Sequence, residues 1–139
     1  MTKSDQVNEL HSKSMEIAQS AFVARIKGEL EKVKEFSKKA FQYEREAAML
    51  LLNDYDIEPT RSVLFRSAAS LALNFENYRE AERMIAFGLS GNPPQDILEE
   101  LRELFISDIL SKYPAKPISI SLSQPRPSSL SSKVAARVA

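Results

Sequence analysis

The chain has no cysteine, a single histidine and only three glycines in 139 residues, and each scarcity excludes something. Without cysteine there is no disulfide, no thiolate zinc site and no cysteine nucleophile. One histidine, His11, cannot build a histidine-rich metal site, and it leaves a serine triad nothing else to draw on; it reads as a solvated residue on an N-terminal turn. Glycines only at 28, 88 and 91 provide no phosphate-cradling loop, and GLSGNPP (88–94) reads as a helix-to-helix turn instead of a G-x-G-x-x-G after a strand. No apolar run approaches the length of a membrane span, and the polar start MTKSDQVNELHSKSM lacks a secretory apolar core, so the expected location is cytoplasmic. Neither sign of charge is in excess, with 19 basic and 19 acidic residues, which gives no reason to expect nucleic acid or a membrane as partner.

What is present is 43% apolar and 27% charged residues, the composition of one ordinary globular domain. Alternating apolar and polar stretches are missing from the first three quarters, and three- and four-residue spacing takes their place, which predicts an all-α body. Helix one is expected from Ser4 to Lys27, with Val7, Leu10, Ser14, Ile17, Ala21, Ala24 and Phe22 as its stripe. Gly28 permits a tight reversal. Helix two follows from Glu29 to Asn53, buried through Leu30, Val33, Phe36, Ala40, Phe41, Ala47, Ala48, Leu51 and Leu52. DYDIEPT then breaks the pattern at Pro59.

A third helix is expected from Thr60 to Phe75 and a fourth after Asn77, which can cap it with Glu80 reaching back in a capping box. Gly91 suits a left-handed residue past the end of that helix. Asn92, Pro93, Pro94 and Gln95 read as a second N-cap device, opening a fifth helix to Ser111 buried through Ile97, Leu98, Leu101, Leu104, Phe105 and Ile109. Residues 1–112 thus form two unequal antiparallel hairpins plus a closing helix. Residues 113–139 form a Pro- and Ser-rich tail expected to be disordered. The charge is uneven along the chain: residues 54–113 carry 11 acids against 6 bases, and 114–139 carry 4 bases and no acid. Within the tail, Ile118, Ile120 and Leu122 alternate with serines at the period of a strand, which could add to a partner's sheet edge, and PAKP satisfies the short P-x-x-P pattern.

Small residues recur in a telling order. Phe65, Ala68, Ala69 and Ala72, then Tyr78, Ala81, Ile85, Gly88, Leu89 and Pro93, together resemble a tetratricopeptide repeat, the two-helix unit of about 34 residues, over residues 62–95. The sequence departs from that family at Ala72, where tyrosine is usual, and at Phe75–Glu76, where glycine is usual. Ile17, Ser20, Ala21, Ala24, Gly28, Val33, Ala40 and Phe41 carry a fainter copy. One constant offset, longer than the family's repeat, separates Ala21 from Ala69, Val33 from Ala81 and Ala40 from Gly88. The excess over the family's length is expected in helix two and the loop before Pro59. A three-helix module of the microtubule-interacting-and-transport type over residues 4–75 is a competing architecture.

No set of residues points to catalysis. Glu99, Glu100 and Glu103 read as a solvated face of helix five; Lys32, Lys34, Lys38 and Lys39 interleave with Glu29, Glu31 and Glu35 as a salt-bridged face. The resemblance implies a non-enzymatic protein–protein interaction module without cofactor or metal, binding a peptide or helix on a concave surface, a groove lined by helices one, three and five. Helical phase and the resemblance place Phe22, Arg25 and Ile26 of helix one, and Val63, Arg66, Ser70, Leu73 and Asn74 of helix three, in that groove. Arg66 with Asn74 would hold a carboxylate or a peptide backbone. So few repeats also leave homodimerisation open. The competing functions are a small nucleic-acid-associated regulator and an enzyme with an unrecognised site.

Overall fold

The computed structural model describes residues 1–112; the expectations for the tail, its disorder and its alternating stretch, lie outside the described residues. The described part is all-α, with no strand among its residues. The helices are α1 (Lys3–Ile26), α2 (Leu30–Leu50), α3 (Thr60–Asn74), α4 (Tyr78–Leu89) and α5 (Gln95–Leu104), and a π-helical turn, Phe105–Leu110, continues α5. Short connections fold α1 back on α2 and α3 back on α4, α2 packs against α3, and α5 closes the stack against α3 and α4.

α1 opens with a complete capping box. The Thr2 hydroxyl accepts the Asp5 amide at 3.1 Å and the Asp5 carboxylate accepts the Thr2 amide at 3.0 Å, and these bonds hold the Asp5 carboxyl below its usual pKa. α1 and α3 then end in the same motif. Gly28 donates to Arg25 O and Glu29 to Ala24 O, at 3.0 and 2.9 Å; Glu76 donates to Leu73 O and Asn77 to Ala72 O, at 3.1 and 3.0 Å. Crossed bonds of this kind need a left-handed residue, supplied by Gly28 at φ 74° and by Glu76 at φ 62°.

Burial repeats at the interval that separates Gly28 from Glu76. Ser14 and Ser62, Ala21 and Ala69, Ala24 and Ala72, Val33 and Ala81, Ser37 and Ile85, and Ala40 and Gly88 are buried in both hairpins. The first hairpin is longer at its open end: α1 has 24 residues against 15 in α3, and α2 has 21 against 12 in α4. Those additional turns bury Val7, Ala47 and Ala48. One core runs through both hairpins and the closing helix, and Phe65, Met84, Ile85, Leu101 and Ile109, each 2% exposed or less, are its part between the second hairpin and α5 with its continuation. Gly88 marks the tightest approach: a β-carbon there would lie 3.0 Å from Leu101 Cδ1 and 3.3 Å from Phe65 Cβ. Helices meet this closely only where one side chain is minimal.

Several local expectations are corrected. Gly91 is not left-handed, since Gly28 is the one glycine of positive φ; it is small because Arg61 fills the space beside it. Asn92 does not cap α5. Pro94 precedes the first turn with ψ 157°, because consecutive prolines hold the backbone extended. At α4, Asn77 accepts the Glu80 amide at 3.2 Å, but its own amide is spent on Ala72. Glu80 instead pairs with Arg45 at 3.3 Å and Arg83 at 3.4 Å. Phe22 and Leu30 do not join the buried stripes; they are 61% and 65% exposed.

Candidate binding groove

α1, α3 and α5 line one open face of the stack. Its main cleft, about 610 Å³, is bounded by Arg25 of α1, Leu30 and Lys34 of α2, Ser70, Leu73 and Asn74 of α3, and Leu104, Asp108 and Lys112 at the chain's last described turns. A second hollow of about 290 Å³ adjoins it through Ser70 and Leu104, and is walled by Arg66, Glu100 and Glu103. Towards the helix N-termini a third, about 210 Å³ and mostly apolar, holds Val7, His11, Pro59, Val63 and Leu64.

Four of the residues expected in the groove therefore meet in the main cleft: Arg25, Ser70, Leu73 and Asn74. Arg66 borders the adjoining hollow, Val63 lies in the third, and Phe22 and Ile26 (71% exposed) stand on the exposed side of α1. The expected joint grip of Arg66 and Asn74 on a carboxylate is not what is found. Arg66 Nη1 donates to Glu100 Oε2 at 2.7 Å, so its charge is already answered across the α3–α5 contact. Glu100 is thus a partner of α3 and Glu103 a wall of the hollow, not merely solvated acids.

Residues from α5 and its continuation, Glu100, Leu104 and Asp108, were absent from the sequence reading of the groove. The signal was available: Arg66 to Glu100, Ser70 to Leu104 and Asn74 to Asp108 share one interval, and it is the family's repeat length of about 34 residues. Between α1 and α3 the longer offset of the small residues applies. It makes Phe22 the counterpart of Ser70, Arg25 that of Leu73 and Ile26 that of Asn74. Of these three, only Arg25 lines the cleft; Phe22 and Ile26 share the offset but not the face.

The electrostatics of the cleft are mixed and local. Lys34 pairs with Glu76 at 3.5 Å and Lys112 with Asp108 at 3.2 Å, around the apolar surfaces of Leu30, Leu73 and Leu104. Such a surface suits an amphipathic ligand better than a polyanion.

Two polar groups lie deeper. Glu44 is fully buried, and His11 Nδ1 donates to its carboxylate oxygens at 2.9 and 3.1 Å. His11, its side chain 40% exposed, is solvated as expected on one side and on the other is the partner of a buried acid. Arg61 is also fully buried: its Nε and Nη2 donate to the carbonyls of Leu51 and Leu52 at 2.9–3.2 Å, and its plane lies about 5 Å from the rings of Tyr55 and Phe65. It closes the C-terminus of α2 and anchors the loop before Pro59. Among the described residues no cluster of three or more His, Cys, Asp or Glu is placed to hold a metal, and no helix is long and apolar enough to cross a membrane. Comparison with protein-family models, with curated proteins and with solved structures returns no match.

Proposed function

We propose that the chain is a non-enzymatic interaction module of tetratricopeptide type, whose α1–α3–α5 face takes a peptide or helix of a partner protein. One observation carries the reading: of three successive first helices, the first brings Arg25, the second Ser70, Leu73 and Asn74, and the third, with its continuation, Leu104 and Asp108 to one cleft. The interval between the second and third matches the family's repeat of about 34 residues. Stacked repeats offer such a face because each hairpin buries its other side against its neighbours. Apolar side chains set among paired charges favour an amphipathic segment, anchored by its apolar positions and oriented by its polar ones.

The experiment is a peptide-display selection against the full chain, followed by titration of the selected peptides into isotopically labelled protein. Amide shifts concentrated at Arg25, Ser70, Asn74 and Asp108 support the reading. Selection of no peptide, or shifts concentrated at Lys38 and Glu82 on the outer faces of α2 and α4, overturns it.

A further inference from the structure

Resting on that groove as a binding face, we propose that its resident ligand is the chain's own C-terminal segment, residues 114–124, docked in cis, so that a partner must displace it. The first ground is where the chain leaves the fold. Lys112 lines the main cleft beside Asp108 and Asn74. The described chain therefore ends at the mouth of the groove, where α1 and α3 finish. No long connection has to be closed.

The second ground is reach. Asn74 and Val63 both lie on α3, and the path between them is about 16 Å at the helical rise of roughly 1.5 Å per residue. Residues 114–122 in extended form span up to about 30 Å, enough to run the length of the groove antiparallel to α3. Held by so short a tether, the segment acts at an effective concentration of the order of millimolar, and even weak contacts fill the site.

The third ground is chemistry. In an extended segment Ile118, Ile120 and Leu122 point to one side and Ser119, Ser121 and Ser123 to the other. Where that path carries them, the groove offers the mostly apolar hollow of Val7, Pro59, Val63 and Leu64 to the apolar side and leaves the hydroxyls to solvent. Residues 1–112 hold 19 acids against 15 bases and 113–139 hold four bases and no acid, so the tail as a whole is drawn to the body within a Debye length. The segment 114–124 carries one of those bases, Lys116, and the groove, its charges paired, adds no net attraction of its own. A docked tail lowers a partner's apparent affinity by the fraction of molecules in which the groove is closed, which makes the segment a built-in competitor.

The absence of cysteine makes the test clean. A nitroxide on Ser121→Cys of the full chain is the only labelled site, and paramagnetic broadening of backbone amides reports what lies near it. Docking in cis predicts that Val63, Leu64 and Arg66, the α3 residues that the extended path brings nearest to residue 121, lose most of their intensity while Lys38 and Glu82 keep theirs. A mixture of spin-labelled and isotope-labelled chains should show no such loss. Uniform or convex-face broadening overturns the proposal, and so does groove broadening that appears in the mixture, which would assign the groove to a second copy. The two readings fail separately. If selected peptides shift the groove amides while the label leaves them sharp, the tail proposal falls and the interaction module stands; if neither touches the groove, both fall.

Discussion

The guanidinium of Arg61 occupies the space that a β-carbon on residue 91 would fill. One residue lies at the start of α3 and the other in the α4–α5 turn, so the contact ties the loop between the hairpins to the closing helix. Gly91→Ala must push Arg61 off the carbonyls of Leu51 and Leu52, and overpacking of this kind costs about 1–3 kcal/mol. Arg61→Met strands those carbonyls instead, at about 1–3 kcal/mol, but leaves room for alanine at 91. Urea melts of both variants and the double variant should show strong coupling, with Gly91→Ala nearly neutral in the Arg61→Met background. Additive losses would show that Arg61 and Gly91 do not constrain each other.

The twin helix ends of α1 and α3 make opposite predictions at equivalent positions. Gly28→Ala meets no atom within 4 Å, so its cost is conformational, about 1 kcal/mol for an L-residue at positive φ. Glu76→Gly removes the same strain and should raise stability by about 0.5–1 kcal/mol, less the small contribution of its exposed pair with Lys34. Chemical denaturation midpoints moving in opposite directions would bear this out. A loss of stability in Glu76→Gly would mean that the glutamate side chain, and not the backbone, holds the turn.

These residues also mark how far the sequence could be read. Periodicity along Val7, Ser14, Ala21 and Ala24 placed α1, and the recurrent spacing of small residues anticipated a repetition that the structure extends to burial and helix ends. Both signals are local patterns, which survive in a one-dimensional string. The role of Gly91 was not legible, because its neighbour Arg61 is distant along the chain and no pattern links a glycine to an arginine that fills its missing side chain. The pairing of His11 was not legible for the same reason: its partner Glu44 lies on the opposite helix, 33 residues on. The groove was half legible. The expectation included helix five as a wall, and helical phase supplied positions on α1 and α3, but naming the α5 residues required knowing that α3 and α5 pack in parallel register.

The His11–Glu44 pair predicts an inverted steric order. Removing the donor leaves a buried carboxylate unpaired, which costs about 1–3 kcal/mol. His11→Ala opens a path for water, and water can replace part of the lost bond. His11→Phe keeps the volume and blocks that path, so it should destabilise more than the smaller alanine. Glu44→Gln retains a carbonyl to accept from Nδ1 and should cost less than either. Thermal melts of the three variants decide the matter; a phenylalanine variant as stable as wild type would show that Glu44 does not depend on His11.

The last prediction separates architecture from binding with two substitutions on adjoining helices. Ala81 is fully buried in α4, so Ala81→Leu forces three additional carbons into a closed contact and should cost about 1–3 kcal/mol or more. Arg66 is about a third exposed, at the edge of the groove. Arg66→Glu sets two carboxylates against each other at Glu100, yet the pair is solvated, so the loss should stay within about 1 kcal/mol. Reversing both charges, Arg66→Glu with Glu100→Arg, should restore stability, because the attraction is the same with the signs exchanged. Peptides selected against the groove respond differently: Arg66→Glu should weaken any that present a carboxylate there by replacing an attraction with a repulsion. Denaturant melts beside peptide titrations read both effects. A neutral Ala81→Leu would mean that α4 has room at that contact, and an Arg66→Glu that unfolds the chain would make the residue a strut of the α3–α5 contact instead of a groove wall.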